Sequence, residues 1–367
     1  MRIVIFSNIP SPYFVEYLNE LGKYVSVLAV FERRTASDRD KRWSPSNSNF
    51  DYVFLDGIEV GTETAFSFKI VPIIKQHKND VLIFANPMTP SGILGIFYCK
   101  FHNIRYVLQS EGGLAKDGKG LRENIKRSVV KGACLCLSGM SPAKDYFIAY
   151  GADPTKVKQY PFSSLHKFDL LETVPTEAEK KKNKAELGIP YNRTLIYVGR
   201  MLPVKGVDVL LSALKGFDDI GVYLIGGKET EEYLNIREKE DIKNIHYVDH
   251  LGLETLKKYY IAADLLVLPT RSDTWGLVVN EAMSFGLPVI TTTSCVAGLE
   301  LIKNGVNGFL VKSEDSLELH GKIKYCFDNP ELCKEIGSNN LEKIKSYTYE
   351  NMAFTIYNHL KTISDTY

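Results

Sequence analysis

The stretch DLLVLPTRSDTWGLVVNEAMSFGLPVITT, residues 264–292, decides the fold. It opens with DLLVLPT, a short apolar run of strand length, continues with the mostly apolar helical pattern WGLVVNEAMSFG, and closes on a second strand, LPVITT. A strand, a helix and a strand in this order predict a right-handed βαβ unit with both strands parallel in one sheet. Two acids interrupt the apolar pattern, Asp273 in the loop after the first strand and Glu281 within the helix.

The same alternation of strand and helix patterns runs through most of the chain. It pauses after about residue 164, where Thr176 and Glu179 have the pattern of a capping box at the start of a lysine-rich helix, and restarts at residue 194 with TLIYVGR. We therefore predict an α/β fold of two Rossmann-like, doubly wound parallel-sheet domains that face a central cleft, with ligands at the carboxyl ends of the strands. The predicted boundaries are residues 1–165 for the first domain, 166–345 for the second, and 346–367 for a C-terminal helix that packs back on the first.

The composition is that of a globular protein with more than one core. The chain has 367 residues, of which 44% are hydrophobic and 24% charged, and its formal net charge of +1 gives no reason to expect a nucleic acid as partner. The six cysteines include no C-x-x-C pair, which favours buried, reduced thiols in a cytosolic protein over disulfides or a zinc site. The first residues lack the features of a signal peptide, and the most apolar helix pattern, residues 92–101, is shorter than the roughly 20 residues that span a bilayer.

The loop in VGRMLPVKGVDVLL, residues 198–211, has the features of an anion site. A strand ends at Gly199, the loop carries Arg200 and Lys205, and Gly206 begins a helix whose first amide groups lack helical partners. Two cations and a helix N-terminus together suit a diphosphate. The loop matches neither a Walker A sequence nor G-x-G-x-x-G, so two solvated charges on a turn are the alternative interpretation.

The acids Asp273 and Glu281 each allow a structural and a functional interpretation. Asp273 follows a buried strand at the expected ligand-binding edge, where it is either a helix N-cap or a ligand contact. Glu281 is either an exposed helix position or a buried carboxylate with a polar partner, and its apolar neighbours favour the second interpretation. A pair of ligand hydroxyl groups would serve as that partner.

Together with LPVITT and the turn segment AGLELIKNGVNGFLV, residues 297–311, these two motifs resemble the C-terminal half of a retaining glycosyltransferase of the GT-B type. More narrowly, they are similar to family four of the sugar transferases, the group 1 glycosyl transferases. The resemblance covers residues 195–315 and extends more weakly into the first half of the chain through PSPYFVEYLNEL, SEGG and YPFSSL. Each motif alone is unspecific, and the combination carries the resemblance.

The resemblance implies a role for each matching residue. Arg200 and Lys205 would bind the diphosphate of a nucleotide-sugar, and Glu281 would hold the ribose hydroxyls. Asp273 would face the donor sugar as a catalytic residue, although the family usually has Glu at this position, one methylene longer, and this difference bears on sugar identity. The other donor-site positions that the resemblance implies, mainly through backbone amides, are Gly199, Thr274, Trp275, Gly276 and Leu277.

The resemblance also implies a reaction. A sugar would move from a UDP- or GDP-type donor to a glycan or lipid-linked acceptor with retention of configuration, without cofactor or metal, in bacterial surface polysaccharide synthesis. A competing metal pattern, the D-x-D of Asp38 and Asp40, lies in a charged run rather than at the end of an apolar strand, which favours a solvated loop. Two further functions stay open: a nucleotide-sugar epimerase of the same fold, and a non-catalytic nucleotide-sugar-binding subunit.

The first half of the chain is expected to supply the acceptor side of the site. The loop after the first strand carries Asn8, Pro12 and Tyr13 and would border the predicted cleft. Glu111, in QSEGG at the end of a later strand, is a candidate catalytic residue that contacts the acceptor or the donor sugar. The alternative for Glu111 is a polar loop residue beside a tight turn.

The helical pattern LRENIKRSVVKG, residues 121–132, has an apolar face and a cluster of cations. An ordinary amphipathic helix packed on the sheet explains this pattern, and contact with an anionic membrane is the sharper hypothesis. We therefore expect a cytoplasmic protein, at the inner face of the cell membrane if that contact is made. The cations of this cluster are Arg122, Lys126, Arg127 and Lys131.

Overall fold

The computed structural model describes residues 1–36, 44–46, 48–111, 118 and 120–364, so the D-x-D of Asp38 and Asp40 lies outside the described residues. The chain divides into two compact units. Unit 1 is Met1–Ser164 together with Thr348–Tyr367, and unit 2 is Leu165–Tyr347.

Each unit is built around one parallel sheet. The sheet of unit 1 has seven strands in the order β3-β2-β1-β6-β7-β8-β9, and the sheet of unit 2 has six in the order β12-β11-β10-β13-β14-β15. A small antiparallel hairpin, β4-β5, is added to unit 1. The strands are β1 (Arg2–Ser7), β2 (Ser26–Phe31), β3 (Asp51–Phe54), β4 (Ile58–Val60), β5 (Thr64–Phe66), β6 (Val81–Phe84), β7 (Val107–Ser110), β8 (Leu135–Ser138), β9 (Val157–Gln159), β10 (Arg193–Val198), β11 (Ile220–Ile225), β12 (Ile245–Val248), β13 (Leu265–Leu268), β14 (Val289–Thr292) and β15 (Phe309–Val311).

Helices connect most of the successive strands, except those from β2 to β5. None of the helices in the described residues is long and apolar enough to span a membrane. The helices are α1 (Pro12–Leu21), α2 (Ile70–Gln76), α3 (Pro90–Phe101), α4 (Leu121–Lys131), α5 (Ser141–Ala149), α6 (Glu177–Glu186), α7 (Val207–Ala213), α8 (Glu231–Lys239), α9 (Leu253–Ala262), α10 (Leu277–Ser284), α11 (Val296–Leu301), α12 (Ser316–Asp328), α13 (Pro330–Ile344) and α14 (Tyr349–Ser364).

Both sheets have the doubly wound arrangement that the sequence predicts. In each sheet the strand order runs outward in both directions from a central strand, β1 or β10, and the neighbouring strands pair in parallel. Central strands are buried on both faces, and Ile3, Val4 and Ile5 of β1 are fully buried. The predicted α/β fold of two Rossmann-like domains is therefore confirmed.

The stretch at residues 264–292 forms β13, α10 and β14, and the two strands pair in parallel with Leu266 opposite Val289. The helix begins at Leu277, slightly later than its sequence pattern indicates. Gly276 precedes it with φ +101°, a left-handed conformation that a helix cannot include and that glycine adopts at little cost.

One local prediction is confirmed at the start of a helix, and the prediction of buried thiols agrees with the structure only in part. Thr176 and Glu179 form a reciprocal capping box at the start of α6, in which the Thr176 amide donates to Glu179 Oε2 over 2.8 Å. All six cysteines are free thiols, and four of them are buried.

The last helix, α14, belongs to unit 1 although it follows unit 2 in the chain. It packs against α1, and its Tyr357 ring stacks on Tyr24 with the ring centres 5.3 Å apart. Ile356 and Leu360 on the same helix are fully buried. These apolar contacts join the C-terminal segment to the first helix of the chain.

Candidate active site

The loop between β10 and α7 is held close to the end of β13. Gly206 makes this possible, because it has φ +70° and lies so close to the carbonyl oxygen of Pro269 that a Cβ atom would collide with it. Since β10 and β13 are parallel neighbours, their following loops leave the sheet at the same edge. The loop that carries Arg200 and Lys205 therefore lies beside the loop that carries Asp273.

Lys205 and Asp273 form an ion pair between these two loops. The Lys205 ammonium group contacts the Asp273 carboxylate, and the side chains are only 16% and 15% exposed. At this degree of burial the attraction is screened less by water and salt than at an open surface. The sequence predicts both residues as site residues but gives no sign that they contact each other.

The backbone of Asp273 is fixed from two sides. Its amide donates to the Ser294 carbonyl over 3.2 Å, and its carbonyl accepts from the Val296 amide over 3.3 Å. The Trp275 amide points to Asp273 Oδ1 at 3.4 Å, which closes a weak turn within the loop. Asp273 is not the N-cap of α10, because Gly276 occupies that position.

The segment before α10 is anchored by Trp275. Its ring is buried, and its indole N–H donates to Asn280 Oδ1 over 2.7 Å. Gly276 follows, where a Cβ atom would lie 2.8 Å from the Cys295 sulfur and 3.6 Å from Asp273 Oδ2. The first amides of α10 therefore begin next to the Asp273 carboxylate, with Leu277 half-buried and Thr274 exposed.

Glu281 is half-buried and has a protein partner. The Tyr260 hydroxyl donates to its Oε2 over 2.7 Å, and the Tyr260 ring stacks on Phe285 at 5.2 Å. Burial raises the pKa of Glu281, and the hydrogen bond from Tyr260 opposes that shift. Glu281 therefore has the polar partner that the sequence predicts, and the protein itself supplies it, but the residue is half-buried rather than buried.

The remaining predicted donor-site cation is accessible. Arg200 is exposed, and its carbonyl accepts a hydrogen bond of 2.9 Å from the Tyr197 hydroxyl. Gly199, just before it, donates its amide hydrogen to the Ile225 carbonyl of β11 over 2.9 Å.

The turn NGVNGFLV is held by its own side chains, since Asn307 Oδ1 accepts from the Lys303 amide over 2.7 Å. That turn is explained by local structure alone.

In unit 1 the structure brings Tyr13 and Glu111 together. The Tyr13 hydroxyl donates to Glu111 Oε2 over 2.9 Å, at the carboxyl ends of β1 and β7. Burial raises the pKa of Glu111 to about 7, and the hydrogen bond from Tyr13 opposes part of that shift. A carboxyl group with a pKa near neutrality exchanges protons readily, as catalytic acids and bases do.

The other predicted residues of unit 1 lie in the same loop. Pro12 is the first residue of α1, where its missing N–H costs nothing. The Asn8 side-chain amide donates to Glu63 Oε2 over 3.2 Å, and the Asn8 backbone amide donates to Asn86 Oδ1, also over 3.2 Å. Asn8 is therefore oriented by polar neighbours at the end of β1.

The basic helix α4 exposes only part of its charge. Lys126 is paired with Glu123 at 2.9 Å, and its ammonium group lies 5.2 Å from the centre of the Tyr150 ring. Arg122, Arg127 and Lys131 are exposed, as is Leu121 at the start of the helix.

Comparison with known proteins assigns the larger part of unit 2. Residues 179–343 match the family described as glycosyl transferases group 1. This match covers the larger part of unit 2 and less than half of the chain. An uncharacterised glycosyltransferase of Methanocaldococcus jannaschii is 31% identical over 172 residues, which are 46% of this chain and 48% of that protein. The match to the curated relatives spans about half of their length.

Solved structures match the whole chain, including unit 1. Anabaena HepE with bound UDP has a TM-score of 0.80 at 17% identity, covering 99% of this chain and 100% of that one, and it has also been solved with UDP-glucose. The apo form of WaaB, a lipopolysaccharide outer core galactosyltransferase, has a TM-score of 0.71 at 16% identity and covers 99% of both chains. At these identities the likeness shows the fold alone, which is GT-B.

The sequence does not predict the partners of the site residues. Lys205 as partner of Asp273, Tyr260 as partner of Glu281, and Tyr13 as partner of Glu111 all come from separate segments of the chain. A further residue, Arg271, contacts the loop that carries Lys205, and its place before Asp273 was the one sequence signal that pointed to it.

The pKa of Glu111 makes stability depend on pH. The ordinary pKa of the group is 4.5 and its folded-state pKa is about 7, so the folded protein keeps a proton that the unfolded chain releases between these values. This stabilisation is complete below pH 4.5 and is lost as the pH rises through about 7. Relative to Glu111→Gln, the free energy of unfolding of the wild type should fall across this window, by at most about 1.4 kcal/mol per pH unit. Urea titrations of both proteins at several pH values measure it. If the difference in the free energy of unfolding between the two proteins does not change with pH, the raised pKa of Glu111 is contradicted.

Proposed function

We propose that the protein is a retaining, metal-independent glycosyltransferase that moves a sugar from a UDP- or GDP-sugar to a glycan or lipid-linked acceptor. The observation that carries this proposal is the Lys205–Asp273 pair at the carboxyl ends of β10 and β13, within a group 1 domain. The surroundings of the pair supply both signs of charge that sugar transfer needs.

The departing diphosphate gains negative charge in the transition state, while the sugar becomes positively charged. In this proposal Lys205 and Arg200 stabilise the diphosphate, and the Asp273 carboxylate stabilises the sugar. Lys205 and Arg200 thereby do the work that a divalent metal does in other sugar transferases. The leaving phosphate takes the proton of the acceptor hydroxyl, which accounts for retention without an enzymic base on the opposite face.

Glu281 would hold the ribose of the nucleotide. Its carboxylate is oriented by Tyr260, and a pair of ribose hydroxyls would donate to it. Hydrogen bonds of this kind stabilise the charged form, so nucleotide binding should oppose the upward pKa shift that burial causes. UDP-glucose is the first donor to test, because HepE, of the same fold, has been solved with it.

Unit 1 would supply the acceptor side, with Glu111 and Tyr13 as the groups that contact the acceptor or the transferred sugar. Their hydrogen bond and the raised pKa of Glu111 support this proposal. The protein would work in the cytoplasm in surface polysaccharide synthesis. The exposed cations of α4 would hold it at the inner face of the membrane, near a lipid-linked acceptor.

Turnover of the donor tests the role of Asp273. With UDP-glucose as substrate, we expect Asp273→Asn to lower the release of UDP about 100-fold or more, the usual effect of removing a transition-state contact. UDP should bind at least as tightly as to the wild type, because the variant lacks a negative charge near the diphosphate and frees Lys205. The matched control is Ser272→Ala, at the exposed neighbouring position.

Three outcomes would contradict this role. An unchanged rate in Asp273→Asn removes Asp273 from catalysis. A wild type that binds UDP but releases none from a range of nucleotide-sugars is a non-catalytic binding subunit. The third outcome is conversion of the donor to its epimer, which proton NMR detects and which would identify an epimerase.

The diphosphate site is tested by calorimetry with UDP and GDP. Lys205→Ala should weaken nucleotide binding about 10- to 100-fold, since hydrogen bonds to charged groups contribute about 1.5–3 kcal/mol. The control is Lys215→Ala, because Lys215 is an exposed lysine whose partner, Glu240, lies 3.0 Å away. Equal nucleotide affinities of the two variants would refute the diphosphate site.

Co-sedimentation with vesicles tests the membrane contact. Replacing Arg122, Arg127 and Lys131 by Gln should abolish binding to vesicles rich in anionic lipid, because each cation near such a surface contributes about 1 kcal/mol. Lys126→Gln is the matched control, since Lys126 is already paired with Glu123 and its loss should change binding little. Binding that survives the triple change, or that is equal on zwitterionic vesicles, would exclude the contact.

A further inference from the structure

Arg271 lies in the loop after β13, close in sequence to Asp273, and its guanidinium group is surrounded by acceptors. It binds Asp208 through two parallel hydrogen bonds, from Nη1 to Oδ1 over 2.8 Å and from Nη2 to Oδ2 over 2.6 Å. It grips Glu314 in the same way, through Nε and through Nη2, the latter over 3.0 Å. Nη1 also donates to the carbonyl of Pro203.

These contacts tie three separate segments to one side chain. Pro203 belongs to the short 3₁₀ turn Pro203–Lys205, Asp208 to the first turn of α7, and Glu314 to the loop after β15. The main chain adds to the attachment, because the Arg271 amide donates to the Val204 carbonyl over 2.8 Å. The turn that ends at Lys205 is therefore fixed to the segment that leads to Asp273.

Only arginine has the donor geometry for this arrangement. A guanidinium group is planar and presents its N–H groups as two forks, each of which matches a carboxylate, whereas a lysine ammonium group is a point charge. The two carboxylates raise the pKa of Arg271 through hydrogen bonds and charge attraction, so the group stays protonated. Its donors face Asp208, Glu314 and Pro203, which leaves Lys205 and Arg200 as the cations for an incoming diphosphate.

The backbone of Glu314 shows that the arrangement is specific. Glu314 has φ +68°, in the left-handed region that residues other than glycine adopt at a cost. This conformation places its carboxylate in bidentate contact with Arg271. The loop thus keeps an unfavourable backbone conformation that presents a carboxylate to the arginine.

We propose that Arg271 is a positioning residue of the donor site, which holds the 200–205 loop in the conformation that presents Lys205 to Asp273 and to the diphosphate. This inference rests on the proposed function of the site as a nucleotide-sugar site. The competing interpretation is that Arg271 binds the diphosphate directly, as a third cation. The two interpretations predict opposite changes in UDP affinity in one experiment.

That experiment frees Arg271 from its carboxylates. In the double variant Asp208→Asn with Glu314→Gln, a phosphate-binding Arg271 would become available and UDP would bind more tightly. A positioning Arg271 would lose its anchors, and UDP would bind about 10-fold or more weakly, because a displaced binding group loses much of its effect. Calorimetry with UDP measures the difference, and tighter binding in the double variant would overturn the proposal.

Substitution of Arg271 itself gives a second measurement. Arg271→Lys should weaken UDP binding and raise the KM for UDP-glucose nearly as much as Arg271→Ala, because lysine keeps the charge but lacks the forks. Millimolar guanidinium should restore part of the UDP affinity that Arg271→Ala loses. It should leave the UDP affinity of the wild type unchanged. An Arg271→Lys variant with wild-type affinity, or the absence of any rescue, would count against positioning.

The control is Arg193→Ala, since Arg193 is paired with Asp219 at the opposite end of β10 and its loss should leave UDP affinity unchanged. Circular dichroism confirms folding, and if Arg271→Ala does not fold, the Asp208 and Glu314 double variant decides the question. Failure of the proposed function can be distinguished from failure of the positioning role. If Lys205→Ala also leaves UDP affinity unchanged, the donor site is wrong, whereas an effect of Lys205→Ala without an effect of Arg271→Lys overturns the positioning role alone.

Discussion

Parallel pairing of β10 with β13 is the constraint on which the site in unit 2 depends. Leu195 lies opposite Leu265 and Ile196 opposite Leu266, so both strands end at the same edge of the sheet. Two loops that are far apart in sequence are therefore neighbours in space. Gly206 allows them to approach more closely than any side chain would permit, and the contact between Lys205 and Asp273 follows from that approach.

The charges at this edge form two clusters. In one cluster Lys205 and Asp273 form an ion pair, and in the other Arg271 binds both Asp208 and Glu314. An anionic ligand competes with Asp273 for Lys205 without displacing the partners of Arg271. Such a site is stable when empty, because its cation has a partner, and it still offers a positive charge to a diphosphate.

Much of the fold was predictable because its signals are local. Most strands of the two sheets are short apolar runs, with β9 (VKQ) as an exception, and the capping box of Thr176 and Glu179 is readable from four residues. The hairpin β4-β5 was missed because its strands are short and β4 is exposed, so neither length nor periodicity marks them. The start of α10 depends on the left-handed Gly276, whose conformation is set by close neighbours such as Cys295 rather than by the local pattern.

The site was predictable in its residue types and not in its contacts. The spacing of Asp273 and Glu281 marked both acids, but their partners come from α9 and from the loop after β10. Which face of α9 meets α10, and hence that Tyr260 reaches Glu281, is decided by packing of the whole domain. For the same reason the sequence does not mark Arg271, since its three acceptors are spread over more than a hundred residues of sequence.

The position of α14 has a consequence for how the protein is made. Unit 1 needs this helix to cover α1, but α14 leaves the ribosome only after all of unit 2 has been synthesised. Unit 2 is continuous in sequence, so its core can close while unit 1 still lacks its last helix. Unit 2 can therefore finish folding before unit 1. During synthesis, the apolar surface of α1 that α14 will bury is open to other contacts.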